Sequence, residues 1–237
     1  MLIDPDKMRE KALRFDIFLS DSQIHSLEVY ASMLVDWNTR MNLTGIVDPD
    51  GIMTRHFEDS LCLLHYVTPP EHGKLIDVGT GAGFPGMVLK ILRPDLSVTL
   101  LDSLNKRLLF LQALSDALSL PVALLHARAE EEGRNSLYRE QFDLACARAV
   151  ADLRVLSEFC LPYVKLGGSF LSLKGPDLAT ELDSAKPGIG SLGGKCVGLF
   201  SYDLSDGSGR SLAVIQKIRP TPMQFPRSMA KINKKPL

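Results

Sequence analysis

The stretch LIDVGTGAGFPG, residues 75–86, decides how this chain folds. Four residues of strand character run straight into glycines at 79, 81 and 83, and a helical pattern follows from Phe84 to Leu92. Glycine lacks a Cβ, so the backbone can turn tightly here and leave amide N–H groups open to a ligand. A dinucleotide fingerprint of the form GxGxxG would need glycine at 84, where the chain has Phe84, and Asp77 is no part of that fingerprint. Asp77 either holds a ligand ammonium through water or braces the loop. The next strand run, SVTLLD at 97–102, ends on a second carboxylate, Asp102. In a doubly wound sheet Asp102 stands beside the glycine loop at the carboxyl edge, where ligands bind. There it can accept both hydroxyls of a ribose; the alternative is a helix N-cap, a role for which Ser103 competes.

Working outward, strand-like runs at 122–126, 142–147 and 169–174 alternate with helix candidates over Leu104–Leu118 and Asp152–Val164. Alternation of this kind predicts an α/β fold, a parallel sheet with helices on both faces. The first 70 residues read as helical. Ser20 is a candidate N-cap for a stripe of Ile24, Leu27, Ala31, Leu34 and Met41, and a second stripe of Met53, Phe57, Leu61 and Leu64 runs until Pro69-Pro70. Residues 186–195, KPGIGSLGGK, read as a loop. Strand candidates 196–203 and 211–218 then flank DGSG at 206–209, an antiparallel hairpin. The expected organisation is a helical extension at 1–70, a core at 71–219 and a basic tail at 220–237.

Composition narrows the function classes. The 237 residues are 45% hydrophobic and 23% charged, enough to bury a full core. The longest apolar run is four residues, against the ~20 a membrane span needs. The charged start MLIDPDKMREKALRFD has no secretory apolar stretch, and the four cysteines (Cys62, Cys146, Cys160, Cys196) show no metal or disulfide spacing. A reduced, cytoplasmic protein without a metal is expected. Net charge is −1, but residues 210–237 carry seven bases and no acid, which suits either an RNA partner or a solvated tail.

Five βα-type strands followed by a hairpin match the strand list of the seven-stranded, Rossmann-like class I methyltransferase sheet. The segments LIDVGTGAGFPGMVLKI (75–91) and LLDSLNKRLLFLQAL (100–114) resemble the glucose-inhibited division protein B family. So do WNTRMNLT (37–44), HFEDSL (56–61), ARAEE (127–131), FDLACARAV (142–150) and LGGSFLSLKG (166–175), in family order. The ending, with TP at 221–222, FPR at 225–227 and KPL at 235–237, is similar too. Two departures are the absence of an asparagine in LPVALLHA before Arg128 and the absence of a glycine in SMAKINK at 228–234. They bear on the tail and on RNA contact, not on the cofactor motifs.

The resemblance implies a methyltransferase that uses S-adenosyl-L-methionine to methylate guanine N7 in small-subunit ribosomal RNA, with naked RNA or the assembled small subunit as partner. It implies that Gly79 and Phe84 contact the cofactor at the loop, that Ala129 and Glu130 flank the adenine, and that Arg148 lies at the methionine end. Arg148 could equally bind an RNA phosphate or form a structural ion pair, and an acidic helix start would account for residues 129–130. With Asp102 these make six candidate cofactor residues. No catalytic residue is assigned. The chain has no (D/N)PPY loop for an exocyclic amine, and Cys146, the one cysteine placed for attack on a pyrimidine, reads as core. Guanine N7 carries no proton, so alignment with an activated methyl suffices.

Asn38, Asn42, His56, Arg128, Lys174 and Arg227 are candidate substrate contacts, with helix capping the competing role for Asn42 and His56. Lys231, Lys234 and Lys235 could track phosphates, and Trp37 reads as a core anchor. Rival readings are a small-molecule methyltransferase, a nicotinamide-dependent oxidoreductase and a non-enzymatic RNA-binding module. No coiled-coil heptad is present, so a monomer is expected.

Overall fold

The computed structural model describes residues 1–148 and 151–237. Helix α1 (Pro5–Leu13) starts at Asp4, whose carboxylate accepts the N–H groups of Asp6 and Lys7. Helix α2 (Asp21–Met41) opens with a reciprocal capping box between Ser20 and Gln23, worth about 1 kcal/mol. It closes at Asn42, which takes the left-handed conformation (φ 50°). Ile24, Leu27, Ala31 and Leu34 are buried, as their spacing predicts. The second apolar stripe is not one helix. It runs through α3 (Pro49–Gly51), a π-helical turn at Ile52–Glu58, α4 (Asp59–Leu61) and α5 (Leu63–Tyr66). Met53, Phe57 and Leu61 are buried nonetheless, because a widened turn keeps residues four apart near one face.

The sheet follows: β1 (Lys74–Val78), α6 (Gly86–Leu92), β2 (Ser97–Asp102), α7 (Asn105–Leu118), β3 (Ala123–His126), α8 (Ala129–Glu132) and β4 (Phe142–Arg148). Then come α9 (Leu153–Cys160), a 3₁₀ turn at Leu161–Tyr163, β5 (Val164–Lys174), α10 (Leu178–Ser191), β6 (Gly194–Asp203), β7 (Gly209–Lys217) and α11 (Met229–Lys234). Strand order is β3-β2-β1-β4-β5-β7-β6. The first five strands are parallel, β7 runs antiparallel to β5, and β6 runs antiparallel to β7. The chain enters at β1, works outward to β3, and returns to the other side of β1 as β4. That reversal opens a crevice at the carboxyl ends of β1 and β4.

Strand parity sorts the core into two layers. Leu75, Val98, Leu100, Leu144, Cys146, Leu171 and Leu173 pack with α1, α2, the 52–64 segment, α6 and α7. Ile76, Val78, Leu101, Ala145, Ala147 and Phe170 pack with α9, α10 and the carboxy-terminal Phe225 and Ile232. By the same alternation Asp77, Asp102 and Arg148 face the layer that holds the amino-terminal helices. Among the described residues no helix is long and apolar enough to cross a membrane.

Several boundaries differ from expectation, and both hairpin strands start two residues earlier than expected, at Gly194 and Gly209. Residues 186–191 belong to helix α10 and not to a loop. Leu178, Leu182, Ala185 and Ile189 form a buried stripe that outweighs Pro187 and the glycines. Gly188 is needed there, since a Cβ would lie 2.6 Å from that of Leu237. The helix candidate 152–164 ends early, at Cys160, and Val164 already begins β5. Helix α6 starts at Gly86, with Phe84 and Pro85 still in the loop.

The turn from α10 into β6 depends on Gly193. Its φ is +84°, and a Cβ would fall 2.1 Å from the carbonyl oxygen of Arg219. Gly193→Ala is expected to lower stability by roughly 2–4 kcal/mol, read by chemical denaturation. Gly45→Ala, where a Cβ meets nothing within 4 Å, should change it by less than about 0.5 kcal/mol.

Candidate functional site

At the carboxyl ends of β1 and β2 lies a cleft of about 490 Å³. It brings together all six residues singled out in the sequence: Gly79, Phe84, Asp102, Ala129, Glu130 and Arg148. Thr44, His56, Arg107, Arg128, Phe159 and Met229 also line it.

Its floor is the glycine loop, shaped from beneath by Asp77. Glycines 79, 81 and 83 have φ of 72°, 61° and 101°, conformations that only glycine adopts readily. Asp77 is fully buried and does not reach the cleft. One carboxylate oxygen accepts from the Thr80 hydroxyl (2.7 Å) and from the Gly86 N–H (2.9 Å). Of its two readings, the geometry gives the brace. The loop amides are mostly consumed within the protein: Gly79 and Thr80 donate to the Leu101 carbonyl, and Gly81 donates to Asp102. The expectation of amides left open to a ligand therefore does not hold for these three.

Asp102 ends β2 and is 2% exposed. Its carboxylate accepts from the N–H groups of Gly81 (3.0 Å) and Leu104 (2.9 Å) and from Nη1 of Arg107 (3.0 Å). It thus ties the loop to Leu104 just ahead of α7, whose first turn has no side-chain cap from either Asp102 or Ser103. Nε of Arg107 is buried in the same wall without a hydrogen-bond partner. A carboxylate beside an unsatisfied guanidinium N–H fits a group that both donates and accepts, as a diol does.

The opposite end is aromatic and cationic. Phe84 stacks with His56 (centroids 4.3 Å apart) and with Tyr30 (5.0 Å), and the Arg148 guanidinium lies 5.0 Å from the Phe84 ring centre. Tyr30 also donates its hydroxyl to the Ala82 carbonyl at 2.6 Å, so α2 clamps the loop from above. Arg148 donates to the Arg55 carbonyl (2.9 Å), to Asp59 (3.0 Å) and to Nδ1 of His56 (3.2 Å). Of its three readings, the ion pair is the one this geometry displays, and Asp59 carries Arg210 as well (3.3 Å).

These contacts fix a proton pattern. Arginine only donates, so Nδ1 of His56 accepts and Nε2 carries the hydrogen, which it gives to Thr44 Oγ1 at 2.9 Å. Thr44 Oγ1 also accepts the Ile46 N–H at 3.1 Å. Both lone pairs of that oxygen are then used, and its hydroxyl hydrogen is left as a donor on the cleft wall. Burial and the adjacent Arg148 hold His56 down to about 3, neutral at any working pH.

The remaining candidates are mostly structural. Asn38 accepts the N–H groups of Leu43 and Thr44, Asn42 caps α2, and Trp37 packs edge-on to Phe110. Lys174 pairs with Glu181 at 3.0 Å and donates to the Ala151 carbonyl. Arg227 is clamped by the buried Glu158 and so is not free to bind phosphate, whereas Lys231, Lys234 and Lys235 are exposed. Cys146 is wholly buried, its thiol pushed well up by desolvation, so it is no nucleophile. The last two residues of the motif at 142–150 lie outside the described residues. Sequence reasoning missed Thr44, Arg107, Phe159 and Met229. The first two stand inside quoted motifs, whereas nothing in the sequence marks the others.

Asp77 and His56 pull the acid stability in opposite directions. Desolvation raises Asp77 from 3.8 to about 6, so the fold favours its protonated form, and its contribution is present below about 4 and lost as pH rises through 6. His56, lowered from 6.5 to about 3, contributes above 6.5 and loses that contribution as pH falls. Between pH 6 and pH 4, Asp77→Asn should therefore lose stability faster than the parent, by roughly 2–3 kcal/mol in urea titrations. His56→Asn should lose it more slowly than the parent over the same range.

Comparison with known proteins follows the same line. Residues 23–197 match the family described as GidB, rRNA small subunit methyltransferase G. The ribosomal RNA small subunit methyltransferase G of Lactococcus lactis subsp. cremoris is 44% identical over 98% of this chain and 99% of its own length. That of Alkaliphilus metalliredigens is 47% identical over 92% of each. Among solved structures, TrmN from Thermus thermophilus superposes with a TM-score of 0.55 at 19% identity, over 70% of this chain and 53% of that one. A SAM-dependent O-methyltransferase from Thermotoga maritima gives 0.54 at 15% identity, over 80% and 73%. These two share the class I methyltransferase fold seen here. With the family match across most of its length and relatives above 40% identity end to end, this chain belongs to the GidB family of small-subunit rRNA methyltransferases G.

Proposed function

We propose that this protein is an S-adenosyl-L-methionine-dependent methyltransferase that modifies N7 of a guanine in small-subunit ribosomal RNA, acting as a cytoplasmic monomer. The observation that carries the reading is the convergence of the glycine loop, Asp102 and Arg148 on one cleft in a chain of this family. The residues present fit the cofactor. Asp102 and the unsatisfied Arg107 would hold the ribose hydroxyls, Ala129 and Glu130 would flank the adenine, and Gly79 would contact the cofactor at the glycine loop. When bound, the cofactor supplies a methyl group already activated on a sulfonium.

The protein has then to align an acceptor and keep charge in check. Guanine N7 has a lone pair and no proton to remove. At the Phe84 end both imidazole nitrogens of His56 are engaged, in keeping with a reaction that needs no base there. The Thr44 hydroxyl, a donor into the cleft, complements the O6 acceptor beside N7 on the same guanine edge. Methylation leaves the base cationic. Asp59, paired with Arg148, offsets the nearest guanidinium and limits repulsion. A neighbouring cleft of about 570 Å³ shares His56 and Arg148 with the first and adds Arg55, Lys174 and Arg210; Lys174 and Arg210 are held by Glu181 and Asp59, and the half-exposed Arg55 is the cation most open to a phosphate.

Tritium transfer from labelled S-adenosylmethionine to small ribosomal subunits, total RNA and a small-molecule extract, all from cells lacking the enzyme, tests the reading. Label in small-subunit RNA, releasable by N7-specific cleavage at one guanine and lost in Asp102→Ala, is the expected result. Label confined to small molecules would retain the cofactor and overturn the RNA acceptor. Cofactor binding without transfer to any of the three would favour a binding module. Thr44→Val should lower kcat at least ~10-fold with cofactor affinity within about twofold, and Thr44→Ser should restore it.

A further inference from the structure

We propose that the carboxy-terminal segment, Arg227 to Leu237, is the adenine-side wall of the cofactor cleft, with Met229 touching the purine and the Arg227–Glu158 ion pair positioning it. This rests on the reading that the cleft takes S-adenosylmethionine. The match to the family model spans residues 23–197, and the segment lies beyond it, within the length over which the relatives align.

The geometry is as follows. Met229 lines the cleft together with Ala129, Glu130 and Phe159. It opens the six-residue helix α11, which is too short to persist alone. Its place is set by contacts on either side. Before it, the Arg227 N–H, Nε and Nη2 donate to the Glu158 carboxylate at 2.7, 2.9 and 2.6 Å. Glu158 is fully buried on α9, next in sequence to Phe159 of the cleft wall. After it, Ile232 is fully buried, and Leu237 packs onto the bare backbone of Gly188. Upstream, Arg139 donates to the carbonyls of Thr221 and Phe225 at 2.7 and 2.8 Å.

One helix, α9, therefore supplies both the clamp and a neighbouring wall residue. Loss of the clamp leaves a buried carboxylate unpaired and frees the segment that carries Met229. A thioether is suited to this position, since its polarizable sulfur packs favourably against a heteroaromatic face. The ligand chemistry implied is an adenine ring, held between the thioether and the residues at the start of α8, with the Glu130 carboxylate available to the exocyclic amine.

Calorimetric titration of the full-length protein with S-adenosylhomocysteine and with methylthioadenosine, which keeps the adenine but lacks the amino acid, tests this. Met229→Ala is expected to weaken both ligands ~5–20-fold while the thermal midpoint of the free protein stays within about 2 °C of the parent. Met229→Leu should bind within about threefold of the parent, and Arg227→Met should weaken binding at least as much as Met229→Ala. Unchanged affinity in Met229→Ala overturns the inference, and so does a loss for S-adenosylhomocysteine without one for methylthioadenosine. Failure of the parent to bind either ligand overturns the cofactor reading beneath it. Binding by the parent that Asp102→Ala leaves intact, with Met229→Ala still weakened, overturns only the role given to Asp102.

Discussion

The cleft is organised around a carboxylate that never touches it. One oxygen of Asp77 receives both the Thr80 hydroxyl and the Gly86 N–H, so it ties the start of the glycine loop to the first residue of α6. A single buried acceptor with two donors defines the chord of the loop, and three positive-φ glycines let the backbone follow it. Room is scarce: a Cβ on Gly86 would fall 2.8 Å from the Asp77 carboxylate, and one on Gly83 would fall 2.5 Å from the Tyr30 hydroxyl. With the chord set, the Gly81 N–H reaches Asp102 and Phe84 is delivered to its aromatic neighbours.

The amino-terminal helices are part of the site. Tyr30 holds the loop carbonyl at Ala82, His56 stacks on Phe84, and Asp59 pairs with Arg148 from the end of β4. These links run between segments distant in sequence and share one apolar layer with the sheet. Charge follows the same plan. Burial pushes the Asp59 carboxyl up, and the guanidiniums of Arg148 and Arg210 oppose that push. An obligate donor, Arg148, sets the imidazole tautomer, and the imidazole in turn aims the Thr44 hydroxyl.

The carboxy-terminal end obeys a similar rule. A basic, proline-bearing stretch gains a fixed place because Lys217, fully buried, donates to Thr221 at 2.6 Å and Glu158 captures Arg227. Charges that could have met RNA are spent inside the fold, whereas Lys231, Lys234 and Lys235 keep theirs in water.

The sequence by itself determined the sheet, its two helical layers and the two carboxylates of the loop, because strand parity, helical spacing and glycine at positive φ are local and leave periodic traces. Strand spacing placed Asp102 beside the glycine loop, and the family resemblance supplied the other five residues that meet it in one cleft. The sequence misplaced residues 186–191, where a buried stripe reaching back to Leu178 outweighs a proline and glycines. Only the tertiary structure decided the rest. Arg148 meets Asp59, Arg227 meets Glu158 and Met229 meets the cleft across separations of 69 residues or more, or through a segment with no periodic signal. A long-range ion pair is chosen by which groups are desolvated together, and that is a property of the packed core, not of the neighbours in the chain.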